Sequence, residues 1–356
     1  MTLHQLVAGF RDGDAISNEA VRIRKLCEAH GAKSEIWVPR EMTAPGTERT
    51  VSDLPGLAGR VRPDDVALLH LSVGSRCNAL FPSLPCRRAI LYHNVTPAKF
   101  FERLDPSTAA ILEEGRRQVA ALKNAAHGAW ADSAFNASEL REAGYENPKV
   151  LPLMLDVLGP QGGGTDGDML AKLAAPGRTN VLFVGRIVPN KRHDRLLLVF
   201  NAYRKRVDPS ARLVVAGGAS SPAYMALLMG MVKNLQLSDS VLFTDFLSDA
   251  ELRACYAAAS AFVCVSDHEG FCAPLLEAMA WRVPLFAVAN AAVPETAGGA
   301  GVLFAPDAAP ETIAETMGRI LHDGALREAV LCRQDARLAG FRARDEWADL
   351  QPVLHV

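Results

Sequence analysis

Short apolar runs alternate with helix-patterned segments along the whole chain, and that alternation leaves few folds open. Leu3 to Ala8, Glu35 to Val38, Val66 to Val73, Ala89 to Val95, Trp130 to Phe135 and Val150 to Leu155 read as buried strands. Between them, segments such as Asn18 to His30 and Thr108 to Lys123 carry apolar residues at helical spacing. Strands that alternate with helices predict a parallel, doubly wound sheet. A glycine-rich stretch, Gly159 to Gly167, interrupts the pattern, which restarts with Val181 to Val184, Leu213 to Ala216, Val241 to Phe243, Ala261 to Val265, Leu285 to Val288 and Val302 to Phe304. The expected fold is α/β, with two Rossmann-like doubly wound lobes and a cleft between them, a size that suits 356 residues. The expected boundaries are a first domain over 1–157, a linker over 158–178, a second domain over 179–340 and a terminal helix within 341–356. Ligands of such sheets bind at the carboxyl ends of the strands.

Formal net charge is -2 with both signs dispersed, which excludes the electrostatic footprint of a nucleic-acid binder. Arg87-Arg88 and Arg116-Arg117 with Lys123 are candidates for a basic patch at a membrane surface, although arginine pairs are usually solvated surface. The seven cysteines form no C-x-x-C pair, as expected of a reduced cytosolic chain. No secretory leader is visible at Met1-Thr2-Leu3-His4-Gln5, and no apolar run reaches the roughly 18 residues of a membrane span. The expected location is cytoplasmic, with peripheral association at the inner membrane face left open.

The densest chemistry lies between Ala261 and Phe304. A strand ends at Val265, Asp267 to Ala273 form a polar turn, and Pro274 opens a helix through Trp281. Free backbone N–H groups at a helix start suit an anion. Glu269 and Glu277, eight residues apart, add two carboxylates, acceptor-only groups fitted to sugar hydroxyls. Taken by spacing alone, an ordinary strand-turn-helix junction explains this as well. Earlier in the same half, Val181-Leu182-Phe183-Val184-Gly185-Arg186-Ile187-Val188-Pro189-Asn190-Lys191 places a guanidinium and an ammonium five residues apart after a strand, a pair suited to a diphosphate. In the first half, Gly13 and Asp14 follow the opening strand and His93 ends another. Phe246 follows the Val241 to Phe243 strand, Ser133 and Asn136 lie in a turn as lining, and two D-x-D runs, Asp12 to Asp14 and Asp166 to Asp168, are discounted as metal sites.

The run Glu269-Gly270-Phe271-Cys272-Ala273-Pro274-Leu275-Leu276-Glu277, followed by Val283-Pro284 and Val293-Pro294-Glu295, resembles the E-x7-E signature of retaining glycosyltransferases of family 4, which have the GT-B fold. Gly185-Arg186 with Lys191 resembles the same family's G-R-x-x-x-x-K pattern. The resemblance implies a metal-independent, retaining enzyme without cofactor that moves a hexose from a nucleoside-diphosphate sugar to a hydroxyl of a glycan or lipid-linked acceptor, in bacterial surface polysaccharide synthesis. GDP-mannose is the first choice of donor, ahead of UDP-glucose or UDP-N-acetylglucosamine. By the same resemblance, Arg186 and Lys191 bind the donor phosphates, Glu269 holds the sugar and Glu277 the ribose. Gly270, Phe271, Cys272 and Ala273 then form the donor turn, Gly13 and Asp14 the glycine loop, and His93 touches the donor sugar or the acceptor, with Phe246 beside the base. Two positions depart from the pattern: many relatives have glycine where Cys272 and Arg192 stand. A GT-B sugar-nucleotide epimerase and a non-catalytic two-lobed sugar-binding protein remain the alternatives.

Overall fold

A computed structural model describes residues 1–174 and 177–356. The chain divides into two compact units, one made of residues 1–102, 106–156 and 344–356, the other of 103–105 and 157–343. The first holds strands β1 (Thr2–Val7), β2 (Lys33–Val38), β3 (Ser52–Asp53), β4 (Val66–Leu71), β5 (Arg87–Tyr92), β6 (Gly128–Ala131) and β7 (Lys149–Val150). Its helices are α1 (Ala15–Ala29), α2 (Arg76–Leu80), α3 (Pro106–Leu122) and α4 (Ala134–Glu142). All the ladders are parallel, in the order β3-β2-β1-β4-β5-β6-β7.

The second unit holds α5 (Gly167–Leu173), β8 (Asn180–Val184), α6 (His193–Arg206), β9 (Arg212–Ala216), α7 (Pro222–Asn234), β10 (Val241–Phe243) and α8 (Asp249–Ala258). It continues with β11 (Ala261–Cys264), α9 (Pro274–Ala280), β12 (Leu285–Val288), α10 (Val293–Ala297), β13 (Val302–Phe304), α11 (Pro310–His322) and α12 (Gly324–Arg342). Its parallel sheet runs β10-β9-β8-β11-β12-β13. The last helix, α13 (Glu346–Leu354), belongs to the first unit, where Leu350, Val353 and Leu354 pack with Leu3, Ile23, Leu151 and Met154.

Most strands stand where the apolar runs place them, because strands buried on both faces must be continuously apolar. Several ends differ. The run from Trp130 stops at Ala131, since Ser133 turns to N-cap α4 by accepting from Asn136 N. Of the sixth run only Val150 joins a strand, together with Lys149 before it, and β3, two residues of Ser-Asp, has no apolar signal. Within the expected linker, Asp166 N-caps α5 through Met169 N, and α5 packs on α8. Residues 175 and 176 of that linker lie outside the described residues. Among the described residues no helix is long and apolar enough to cross a membrane.

The basic-patch expectation is not supported. Arg88 donates to Ala125 O and Leu84 O at 2.6 Å each, Arg116 pairs with Glu139 at 2.9 Å and Arg117 with Glu114 at 2.7 Å. Local acceptors take up these guanidinium groups.

Candidate active site

In each sheet the direction of winding reverses beside the first strand, and the loops leaving the two strands there diverge to open a crevice. In the second unit those strands are β8 and β11. Their following loops contain Arg186 to Lys191 and Val265 to Ala273, so the two stretches singled out by sequence meet at one sheet edge.

Backbone and side chains join the two loops. Asp267 N donates to Asn190 O at 2.9 Å, and Asn190 Nδ2 donates to His268 O at 3.1 Å. Lys191 Nζ donates to Glu269 Oε2. Arg192 lies at φ 54° and grips Asp194 with Nε at 3.0 Å and Asp267 with Nη1 at 2.7 Å. From the far side, Asn290 Nδ2 donates to Ser266 O at 3.0 Å, Ala292 N to Glu269 O at 3.2 Å, and Thr296 Oγ1 to Phe271 O. Beneath the β8 turn, a Cβ on Gly217 would lie 2.2 Å from Gly185 O, so only glycine allows this approach.

These bonds set the charges. Glu269 is 6 % exposed, a desolvated carboxylate that needs a partner, and Lys191 supplies it. Burial opposes the lysine's charge, but Glu269 and the nearby Cys272 and Cys264 raise its pKa, so it is an ammonium at neutral pH. Arg186 is exposed and its guanidinium bonds to no described residue, which leaves its fork available. Glu277 is half-buried on α9 and accepts from Tyr256 Oη at 2.7 Å. Burial pushes its pKa up to about 7, against the Tyr256 hydrogen bond and with a small push from Asp249. Phe271 and Cys272 are buried and Gly270 and Ala273 half-buried, in the turn that leads into Pro274 at the start of α9. Phe246 is 63 % exposed, its ring over Gly218.

In the first unit the corresponding edge lies at β1 and β4. Gly13, at φ 78°, and Asp14 are exposed; Asp14 N-caps α1 and accepts from Ser17 N at 3.1 Å, so the first D-x-D is a capped turn. His93 belongs to a buried histidine pair. Gln5 Nε2 donates to Ala20 O and Ser34 Oγ at 2.9 Å each, so its Oε1 takes the hydrogen of His70 Nε2 at 3.0 Å. His70 Nδ1 is then an acceptor and receives His93 Nε2–H at 2.9 Å. The other nitrogen, His93 Nδ1, lies 3.5 Å from Asp132 Oδ2. His93 Nε2 is thus engaged by His70, while Nδ1 has Asp132 beside it and no hydrogen bond among the described residues. Ser133 and Asn136 are fully buried, tied into the α4 cap and to Asn94.

Glu19 sits beside the histidine pair, its Oε1 accepting from Met154 N at 3.0 Å and its Oε2 3.5 Å from His93 Nε2. Burial raises its pKa to about 7, with His93 pulling the other way. Burial, reinforced by His93, drives His70 well below the usual histidine value; for His93 itself burial is outweighed by Glu19 and Asp132, which raise it. The 2.9 Å ring contact is a hydrogen-bond length, so a proton lies between the two rings, while Glu19 Oε2 and His93 Nδ1 make no hydrogen bond among the described residues.

Sequence reading missed Asn190, Tyr256, Glu19 and His70. Asn190 lies inside the G-R-x-x-x-x-K stretch and could have been weighed with it. The others come from distant segments with no local signal.

Residues 168–335 match the family model for glycosyl transferases group 1. The chain is 35% identical over 187 residues to a D-inositol 3-phosphate glycosyltransferase of Kineococcus radiotolerans, covering 48% of this chain and 43% of the relative. It is 33% identical over 126 residues to a GDP-mannose-dependent alpha-(1-6)-phosphatidylinositol monomannoside mannosyltransferase of Mycobacterium tuberculosis, covering 33% of this chain and 32% of that one. The chain thus spans less than half the length of these relatives. Among solved structures, sucrose-phosphate synthase from Thermosynechococcus elongatus superposes with a TM-score of 0.75 at 17% identity, over 99% of this chain and 98% of the other. The class defined by the fold is GT-B. Within it, the matched stretch is similar to group 1 glycosyltransferases and contains both loops of the β8–β11 edge.

Proposed function

We infer that this chain is a glycosyltransferase that moves a hexose from a nucleoside-diphosphate sugar to a hydroxyl of a glycan or lipid-linked acceptor. The observation that carries this reading is the meeting of Lys191 and Glu269, 78 residues apart in sequence, at the switch point of the second sheet. One is a cation for phosphate, the other an acceptor for sugar hydroxyls, and Arg186 on the same loop is an unengaged fork. When donor binds, phosphate oxygens share the Lys191 ammonium and sugar hydroxyls donate to Glu269. The bond from C1 to the phosphate oxygen then breaks. Lys191 and Arg186 stabilise the charge that grows on the leaving diphosphate, and stabilising developing charge lowers a barrier more than gripping the ground state does. The acceptor oxygen bonds C1 on the face just vacated, its proton passes to the leaving phosphate, and configuration is retained. Two protein cations do the neutralising work of a divalent ion, so the reaction is read as metal-independent.

GDP-mannose is the first donor to test. The similarity to a GDP-mannose-dependent enzyme supports it, and UDP-glucose is the second. Calorimetric titration with GDP and with UDP, with and without magnesium, is expected to show one of them binding at about micromolar affinity without metal. Binding of neither would sink the reading. Conversion of a bound nucleotide sugar to its stereoisomer without transfer would replace it with an epimerase.

A further inference from the structure

Cys264 ends β11 and Cys272 closes the loop that carries Glu269. Their Sγ atoms lie 3.9 Å apart, and both sulfurs and a Glu269 carboxylate oxygen fall within 4.8 Å of one another. All three residues are buried. We propose that Cys264, Cys272 and Glu269 form a binding site for a thiophilic divalent cation of the zinc class, and that its occupation takes Glu269 away from the donor sugar.

Three features of the geometry support this. Two thiolates on a tetrahedral zinc, with bonds of about 2.3 Å, stand roughly 3.8 Å apart, which is the separation seen here and nearly twice that of a disulfide. Two sulfurs and one carboxylate are a donor set that selects zinc over magnesium or calcium, and three protein ligands leave the fourth position open. Charge also closes: two thiolates and one carboxylate balance one divalent ion plus the Lys191 ammonium already in contact with Glu269. Binding is an exchange in which each thiol gives its proton to solvent and its sulfur lone pair to the metal, with no change of oxidation state.

Cys272 strengthens the case. It lies at φ 72°, a left-handed conformation that strains a β-carbon-bearing residue and costs glycine almost nothing. The chain keeps a cysteine there, facing the other thiol and Glu269.

The metal-binding arm of the test is independent of the proposed reaction; only its activity arm rests on that reading of Glu269. The reduced, metal-stripped full chain is titrated with Co2+ and followed by absorption, then with Zn2+ as competitor. One equivalent is expected to give a thiolate-to-cobalt charge-transfer band and the intense visible bands of tetrahedral cobalt, both erased by zinc. Cys264→Ser should weaken the metal by more than the roughly 10- to 100-fold that losing an outer-shell partner costs. Cys272→Gly should do the same while relaxing the backbone, which guards against a variant that merely fails to fold. Cys332→Ser, at an exposed cysteine elsewhere, should change nothing. Absent bands, or bands that persist in C264S and C272G, overturn the site. In the activity arm zinc should inhibit transfer in the parent and spare C264S relative to its own zinc-free rate; bands with transfer untouched by zinc would overturn the capture of Glu269. Bands in a chain that transfers from no donor would leave the metal site standing and count against the function instead.

Discussion

Each sheet has its own switch point, and the two carry opposite chemistry. At the β1–β4 edge the ionisable groups turn inward: Glu19, His70 and His93 are all within 8 % of full burial, His93 bonds to His70 and Glu19 Oε1 accepts from the Met154 backbone. The β8–β11 edge turns its groups toward the loops, where Lys191 is 21 % exposed and Arg186 stands open. A parallel sheet decides where a ligand can approach, since the switch point follows from strand order alone. What the ligand meets there is decided by a few side chains. The first edge packs its ionisable groups inside the fold, and the second holds the Lys191–Glu269 pair and the exposed Arg186 in its loops.

The largest expected effect is at the outward-facing edge. Lys191→Ala should reduce kcat by about 10²–10³-fold, the range for removing a group aimed at developing charge, with a smaller change in the Kd for the nucleoside diphosphate. Single-turnover transfer against calorimetric Kd would show the split. A loss confined to Kd would make Lys191 a ground-state binder. Unchanged turnover would erase the contrast between the edges.

The inward edge should respond through stability and its pH dependence. With a native pKa of about 7 against an ordinary 4.5, Glu19 binds its proton more tightly in the folded chain. Its contribution to stability is therefore complete below about pH 4.5 and is lost as pH rises through 7. His70, held neutral, acts oppositely: its burial costs stability as pH falls below the ordinary histidine value. The two slopes offset each other in the parent chain. Glu19→Gln removes one of them, so the stability of E19Q relative to the parent should improve by on the order of 3 kcal/mol between pH 5 and pH 8, measured by urea unfolding. A pH-independent difference would mean that Glu19 is ionised throughout and that His93 carries the compensating charge.

The legibility of the two edges also differs, for a physical reason. Strands such as Ala261–Cys264 announce themselves because burial on both faces demands continuous apolar residues, and Pro274 marks a helix start because only the first turn tolerates it. Lys191 and Glu269 could be placed at one sheet edge from sequence, although their direct contact could not. Glu19 and His70 gave no signal, since their meaning comes from Met154, 135 residues from Glu19, and from Gln5, 65 residues from His70. For His93 the place at a strand end is local and legible, whereas the direction of its Nε2 depends on Gln5 fixing His70. Tyr256 reads as one more apolar position on α8 until Glu277 is seen beneath its hydroxyl. Pairings across such distances are written in the fold and not in any window of sequence.

Arg192 gives the smallest expected effect and the finest comparison. Where Gly13 relaxes the left-handed turn after β1, the turn after β8 holds an arginine at φ 54°, at a backbone cost of about 1 kcal/mol. Against that cost stand its ion pairs with Asp194 and Asp267, whose side chains are all about one-third exposed, so each pair contributes between about 0 and 1 kcal/mol. Arg192→Gly removes both cost and gain, and its stability should fall within about 1 kcal/mol of the parent. Arg192→Lys keeps the backbone cost but loses the fork that grips Asp194 with two nitrogens and reaches Asp267 with a third, so it should be less stable than the glycine variant. Nucleotide affinity should survive in both, because Asn190 and the Asp267 amide still join the loops. If R192G instead loses more than about 2 kcal/mol, or nucleotide binding with it, the arginine itself holds the outward edge together, and the turn needs a tie across it more than it needs a relaxed backbone.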